Sequence, residues 1–299
     1  MNEDSARRSE DGSAGGGRLV AGLAAGGSLR WVVADLTLPL EEVRRRLDLS
    51  PISAVALGRA LVGAVLLRRI ALKVPARLIL TVDGDGALGR IVAEVESRGA
   101  IRGMVGNSKV QTPADGAMAI APWVGRGSLN VTREIDGESY SSKVELVSGE
   151  IGKDLAHYLE QSEQTRSAVL VGVLPESIGI AAAGGLIVEA LPGTPEEVIT
   201  RLEENLLTLG GVSKTLALGG TAALEAAVLA GFDLEPLEEG ALTYHCRCNR
   251  EQLRLQLKTL AQEDIQALFV NDSVCEAECA FCGERYEFSA GELTLERLH

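Results

Sequence analysis

Five cysteines, Cys246, Cys248, Cys275, Cys279 and Cys282, fall in the last fifth of a 299-residue chain, with none before them. A disulfide framework ordinarily ties distant parts of a small secreted domain, so cysteines crowded at one end of a large chain point instead to metal or redox chemistry. Cys246 and Cys248 form a CxC pair in HCRCNRE, and Cys279 and Cys282 form a CxxC pair in ECAFCGERYEF. Two close pairs supply four thiolates, the usual complement of a structural zinc ion in tetrahedral sulfur coordination. One reading is a static zinc ribbon that staples a module too small to build its own core. The other is a redox switch, in which an oxidant converts nucleophilic thiolates to disulfides, expels the metal and lets the module unfold. Cys275 is read as a small buried hydrophobe, with a spare-ligand or intermolecular role left open. His245 could ligate a metal, but four sulfurs already fill a tetrahedron, and it is read as a surface group or a tuner of the thiolates. His157, in a helix without a cysteine near it in sequence, is read as structural.

Other chemistry finds little support. Gly84, Gly86 and Gly89 satisfy GxGxxG, yet a dinucleotide loop needs a helix opening at the third glycine, and the residues that follow alternate like a strand. GxSxG, HExxH and Walker phosphate-loop patterns are absent, which argues against hydrolase and ATP-driven readings. A thiol-disulfide oxidoreductase would place a low-pKa cysteine at a helix start in a βαβ setting, whereas Cys279 is expected after a loop and before a strand. No cofactor other than a metal is expected.

Around these residues the chain alternates strand and helix signals. SLRWVVADLT at 28–37 reads as a strand, with a helix from near Glu41. Ser50 followed by Pro51 reads as an N-cap with proline at the first helical position, opening a buried helix through about Ile70. The run from Arg77 reads as a hairpin or meander through a Gly/Asp turn. Alternation at Leu129 and Val131, then at Val144 and Leu146, predicts antiparallel sheet. A helix is expected over 151–163, then two apolar strands ending near Pro192. Thr194, Pro195 and Glu197 spell a capping box for a helix ending at Gly210-Gly211, and a second short helix is expected from near Thr221 to Gly231. Residues 194–244 carry two basic and nine acidic side chains, so they read as an acidic helical linker whose short helices need tertiary support. Between the cysteine pairs, 249–268 reads as two helices with Leu253, Leu257, Leu260, Ile265 and Leu268 inward.

The expected class is therefore α+β. Residues 1–17 form a solvated, disordered tail, 18–193 an N-terminal α/β domain with a mostly antiparallel sheet and packed helices, 194–244 the helical acidic linker, and 245–299 a small zinc domain. A formal charge of −13 disfavours nucleic acid, and residues 245–299 are themselves net acidic, which weakens an RNA-binding ribbon. The apolar stretches at 60–67 and 178–188 fall short of the roughly 20 residues that a membrane helix needs. The N-terminus MNEDSARRSEDGSAGGG has no apolar signal region, so a cytoplasmic protein without a membrane partner is expected.

The pattern as a whole resembles the redox-regulated thirty-three-kilodalton heat-shock chaperone family of bacteria. Its markers are VADLT at 33–37, SPISAVALGRAL at 50–61, DGDGALG at 83–89, YLEQSEQ at 158–164, AAGGLIVEALPG at 182–193, and CxC followed by CxxC. Cys275 and the first seventeen residues lie outside the resemblance. The resemblance implies an ATP-independent holdase, not an enzyme, that is inactive while reduced and bound to one zinc ion through Cys246, Cys248, Cys279 and Cys282. It further implies that oxidation forms the disulfides Cys246–Cys248 and Cys279–Cys282. Zinc then leaves, the zinc domain and linker unfold, unfolded client proteins bind, and the oxidised chain forms a homodimer. The static ribbon and the oxidoreductase are the alternatives.

Overall fold

The computed structural model describes residues 16–72, 74, 76–113, 116, 118–269 and 274–293. They form two compact units, one through Tyr244 and one from His245. The tail expected over 1–17 lies outside the described residues except for Gly16 and Gly17, and Gly17 already opens a strand paired with Leu242.

The first unit begins with the strands β1 (Gly17–Ala24) and β2 (Leu29–Asp35), followed by the helices α1 (Thr37–Arg46) and α2 (Pro51–Ala71). A meander follows, β3 (Arg77–Gly84), β4 (Ile91–Val95) and β5 (Ala100–Val105), then the single turn α3 (Ala121–Val124) and the hairpin β6 (Gly127–Ile135) and β7 (Glu138–Glu145). After α4 (Gly152–Tyr158), a π-helical turn at Leu159–Glu163 leads into β8 (Ser167–Glu176) and β9 (Gly179–Ala190). The unit closes with α5 (Glu196–Thr208), α6 (Val212–Val228) and β10 (Leu234–Tyr244). The strands form one sheet in the order β7-β6-β3-β4-β5-β10-β1-β2-β9-β8. Every neighbouring pair is antiparallel except β10 with β5, which meet in parallel at only Thr243↔Ala100 and Tyr244↔Ile101.

Burial follows from which faces are covered. In β3, Leu78, Leu80 and Val82 are buried and alternate with half-buried residues, the pattern of a strand packed on one face. β9 is buried almost continuously because helices cover both of its faces: residues such as Ile187 join the core around α2, while Leu186 and Val188 join the layer of α5 and α6. The Ser50 side chain caps α2 by accepting from the Ser53 N–H, with Pro51 at the first position. Among the described residues α2 is the one helix long and apolar enough to cross a bilayer, but 83% of that stretch is buried inside the protein, as the central core helix. Gly58 and Gly63 let α2 approach its neighbours: a Cβ there would stand 2.4 Å from the Leu40 side chain and 2.3 Å from that of Leu155.

On the half of the sheet that carries β3 to β7, Glu94 is buried and accepts from Arg77 at 2.5 Å and Arg102 at 2.7 Å. Burial raises the Glu94 pKa, but the two arginines more than offset it and hold the group below the ordinary carboxylate value. A depressed folded-state pKa contributes stability above the unfolded pKa of about 4.5, and that stability is lost as pH falls through the folded value. Glu94→Gln is therefore expected to cost about 1–3 kcal/mol at neutral pH and to flatten the stability profile below about pH 4.5. Denaturant unfolding of both proteins across pH 3–7 checks this, and parallel profiles would contradict it.

Several local expectations are corrected. The helix expected near Glu41 begins at Thr37. The helix expected over 151–163 is α4 followed by the π turn, which ends with Gln164 in the left-handed region. The strand expected after Gly89 is present, as β4 begins at Ile91. The glycines serve close backbone packing: a Cβ on Gly84 would lie 1.9 Å from the Val124 carbonyl oxygen, and one on Gly86 would lie 2.2 Å from that of Trp123. Thr194 does not cap α5. Its hydroxyl donates to the carbonyls of Leu191, at 2.7 Å, and Ser28, at 2.8 Å, while Pro195 occupies the N-cap. α6 is two pieces separated at Gly219-Gly220, where the backbone leaves helical geometry: the piece after the break is the helix expected from near Thr221, and the piece from Val212 before it was not expected. The stretch 194–244 is not helical throughout either, because β10 inserts between β5 and β1.

The second unit contains α7 (Arg250–Leu257), α8 (Gln262–Ala267), the hairpin strands β11 (Val274–Glu278) and β12 (Arg285–Ser289), and the final turn α9 (Ala290–Leu293). Its fully buried apolar core among the described residues is small: Ile265, Phe288 and Leu293, with Leu253, Leu257 and Tyr286 packed partly against them. Leu260 and Leu268, expected inward, are exposed because each lies just beyond the end of its helix.

Candidate metal centre

The β11–β12 hairpin sets the CxxC half of the site. Cys279 directly follows β11, correcting the loop expected before it, and its N–H donates to the Glu284 carbonyl at 2.9 Å. The N–H groups of Cys282 and Gly283 turn back to the Cys279 carbonyl at 3.2 and 2.8 Å, and Gly283 takes a left-handed φ of 71°. Such a turn points both thiols to the same side. The CxC half comes from the extended segment before α7, where Asn249 caps the helix by accepting from the Gln252 N–H at 2.9 Å.

The two halves converge. The sulfurs of Cys246, Cys248, Cys279 and Cys282 all lie within 4.8 Å of one another, with Cys246 to Cys279 at 3.8 Å and Cys248 to Cys282 at 3.3 Å. Four sulfurs about 2.3 Å from a common centre would sit roughly 3.8 Å apart in a tetrahedron, so these four residues can hold a metal ion. Cys279 and Cys282 are buried, while Cys246 and Cys248 are half-buried.

The thiols differ in acidity. Burial raises the pKa of Cys248, but the Tyr286 hydroxyl, 3.5 Å from its sulfur, and the three neighbouring thiols outweigh burial and hold it below the ordinary thiol value. Burial pushes Cys279 and Cys282 up, against backbone hydrogen bonds that favour their thiolates. The bond to Cys248 in turn raises Tyr286.

Cys275 lies in β11 opposite Phe288, is buried, and stands apart from the four-sulfur cluster; burial raises its pKa. His245 is exposed beside the CxC pair and is not among the clustered ligand atoms. His157 sits half-buried in α4, in the first unit. Two supporting residues escaped the sequence reading. Tyr286 reaches Cys248, and Arg250 donates to the Glu287 carbonyl at 2.7 Å, pairs with Glu292 at 2.8 Å and stacks its guanidinium 4.7 Å from the Phe288 ring centre. The alternation in RYEFS, which puts Tyr286 and Phe288 on one face of β12, was the available signal.

A family model described as Hsp33 protein matches residues 17–289. A 33 kDa chaperonin of Thermus thermophilus is 44% identical over 291 residues, covering 93% of this chain and 85% of its own. The 33 kDa chaperonin of Desulforamulus reducens is 36% identical over 280 residues, covering 92% and 95%. The crystal structure of the 33 kDa chaperonin from Thermotoga maritima superposes with a TM-score of 0.82 at 33% identity, covering 92% of this chain and 96% of that one.

Proposed function

The chain belongs to the Hsp33 family, and from that premise we propose that it is a redox-switched, ATP-independent holdase of the cytoplasm, held inactive by one zinc ion on Cys246, Cys248, Cys279 and Cys282. It is a chaperone and not an enzyme. The observation that carries the switch is the disproportion in the second unit: four thiols gathered from both ends of the module, around a core of three fully buried side chains. Zinc bound there would cross-link the module and hold the thiolates deprotonated.

Under hypochlorous acid, two thiolates give up two electrons, one S–S bond forms, and chloride and hydroxide leave. Each disulfide withdraws two sulfur donors. The pairing decides what happens next. Disulfides within the pairs, Cys246–Cys248 and Cys279–Cys282, close only tiny loops and tie no distant segments together, so the module is free to unfold. Disulfides between the pairs would close loops of more than thirty residues and restrain the unfolded chain by about 3–4 kcal/mol, which would keep the module shut.

Unfolding of the second unit frees the end of β10, which runs into Cys246 through His245 alone and is tied to β5 at only two residue pairs. The acidic linker of residues 194–244, with α5, α6 and β10, then comes away and exposes the apolar face around Trp31, Leu186 and Val188 to unfolded clients. A homodimer of the oxidised chain belongs to the same reading. Peptide mapping after stoichiometric hypochlorite is expected to recover Cys246–Cys248 and Cys279–Cys282, with Cys275 still reduced. Dominant disulfides between Cys246 and Cys279 or between Cys248 and Cys282 would contradict the release mechanism.

A further inference from the structure

β10 is an unusual strand to find inside a ten-stranded sheet. It reads LEPLEEGALTY: Pro236 has no N–H to give, the ladder to β1 skips Leu237, and only Leu242 along the strand is buried. β5 meets it only at Thr243 and Tyr244, so among the described residues no strand flanks its other edge from Leu234 to Leu242. The register shows which backbone groups it holds. The Ala25 N–H donates to the Asp233 carbonyl, and the Thr243 N–H turns away to the Gly99 carbonyl. The N–H and C=O groups of Leu19, Ala21 and Leu23 therefore face β10, and those of Val20 and Gly22 face β2. Without β10, β1 becomes a sheet edge of eight residues, GRLVAGLA, guarded by one charge, Arg18.

That edge has two differently built sides. On one, Val20 and Ala24 belong to the apolar cluster of Trp31, Leu186 and Val188, which α5 and α6 cover. On the other, Leu19 and Ala21 belong to the core around α2. A groove of about 240 Å³ opens on that side, where Leu19, Val65 and Val95 lie beside three arginines, Arg68, Arg69 and Arg98. β10 answers them with Glu238, which stands opposite Ala21 and pairs with Arg69. Departure of residues 194–244 removes the covering helices, the strand and its glutamates together, while the β1–β2 ladder and the arginines stay. What remains is a strand edge with an apolar side and a cationic side. It fits one occupant, an extended polypeptide in which apolar and acidic side chains alternate.

We propose that β10 fills a client slot, and that in the oxidised chain an extended segment of an unfolding protein takes its place on β1. The segment pairs with the backbone of Leu19, Ala21 and Leu23, with apolar side chains beside Val20 and Ala24 and acidic ones toward Arg69 and Arg98. β10, with its proline and its skipped residue, makes fewer bonds to β1 than a regular strand would, so a client can outcompete it. This deepens the holdase reading and rests on it, since that reading releases the linker and supplies the unfolded chain.

The test uses the full-length oxidised chain and a fluorescent ten-residue peptide of alternating valine and glutamate. One twin is N-methylated at its glutamates, whose N–H groups would face Leu19, Ala21 and Leu23, and a second carries lysine for glutamate. Residue-resolved hydrogen exchange of the chain is the main readout. The Leu19, Ala21 and Leu23 amides are expected to be protected in the reduced chain, to exchange at least a hundredfold faster on oxidation, and to regain protection at saturating peptide. The Val20 amide, held by β2, stays protected throughout. Both twins are expected to bind at least tenfold more weakly than the peptide. Arg98→Glu is expected to weaken peptide binding at least threefold, and Arg90→Glu, an equal charge reversal at the other end of β4, to leave it unchanged. Slot amides that stay protected on oxidation, that stay exposed with peptide bound, or that regain protection without peptide as the oxidised chain dimerises overturn the inference. Equal affinity for the peptide and either twin does the same, as does an equal effect of the two arginine variants. An oxidised chain that suppresses no aggregation would sink the holdase reading itself. One that suppresses it while the peptide leaves the slot amides exposed would sink only the slot.

Discussion

Serine at Cys279 or Cys282 is expected to unfold the chain from His245 onward in the fully reduced protein, with no oxidant present. Structural zinc contributes on the order of 10 kcal/mol or more to the folding of small modules, comparable to the whole stability of a typical domain. Three fully buried side chains, Ile265, Phe288 and Leu293, cannot replace that contribution. The turn that aims both thiols, from Cys282 and Gly283 back to the Cys279 carbonyl, would lose its anchor. Hydrogen exchange reports the result directly: the N–H groups of Cys279 and Gly283 are expected to go from protected to freely exchanging, and bound metal to fall well below one ion per chain. Cys275→Ser is the control. Its thiol stands outside the four-sulfur cluster, so metal content should be unchanged. Full protection in Cys279→Ser would mean that the module folds by its core alone and the metal is incidental.

Leu224→Asp is expected to produce the opposite phenotype in the switch, a chaperone that is active while reduced and metal-loaded. Leu224 is fully buried where α6 lies on the sheet, in the cluster that includes Trp31, Leu186, Val188 and Leu202. A carboxylate there has no cation to pair with in that apolar cluster, and burying it costs several kcal/mol. α6 is the element least able to absorb the loss, because Gly219-Gly220 already breaks it into two short pieces that depend on packing. The core around α2 is a separate cluster on the other face of the sheet and should hold. The check is aggregation suppression by the reduced variant, with metal content measured alongside. A variant as inert as the parent, with α6 shown by hydrogen exchange to have come loose, would place client binding elsewhere.

Much of this was legible in the residues. Four cysteines in two tight pairs announced a site that the β11–β12 turn and the segment before α7 then assemble, and Ser50-Pro51 marked the start of α2 where the structure has it. The alternation at Leu129 and Val131, then at Val144 and Leu146, pointed to antiparallel sheet, and β6 and β7 pair in that way. What failed did so where tertiary contacts overrode local pattern. Thr194 has the side chain of a cap, yet the Ser28 and Leu191 carbonyls claim its hydroxyl. The acids of LEPLEEGALTY hid β10, a strand whose side chains are mostly exposed and whose place is fixed by backbone pairing with β1, which no hydrophobic period records. Tyr286 showed no cysteine-like spacing, and only the fold brings its hydroxyl to Cys248.

The most direct test of the switch is a paired measurement on the full-length chain, before and after hypochlorite and without ATP: zinc released per chain, and suppression of aggregation of a thermally unfolding client. Release of one zinc ion together with the onset of suppression, both reversed by reductant and added zinc, is the expected result. Zinc release with no gain in suppression would contradict it, leaving the four cysteines as a structural centre unconnected to client binding.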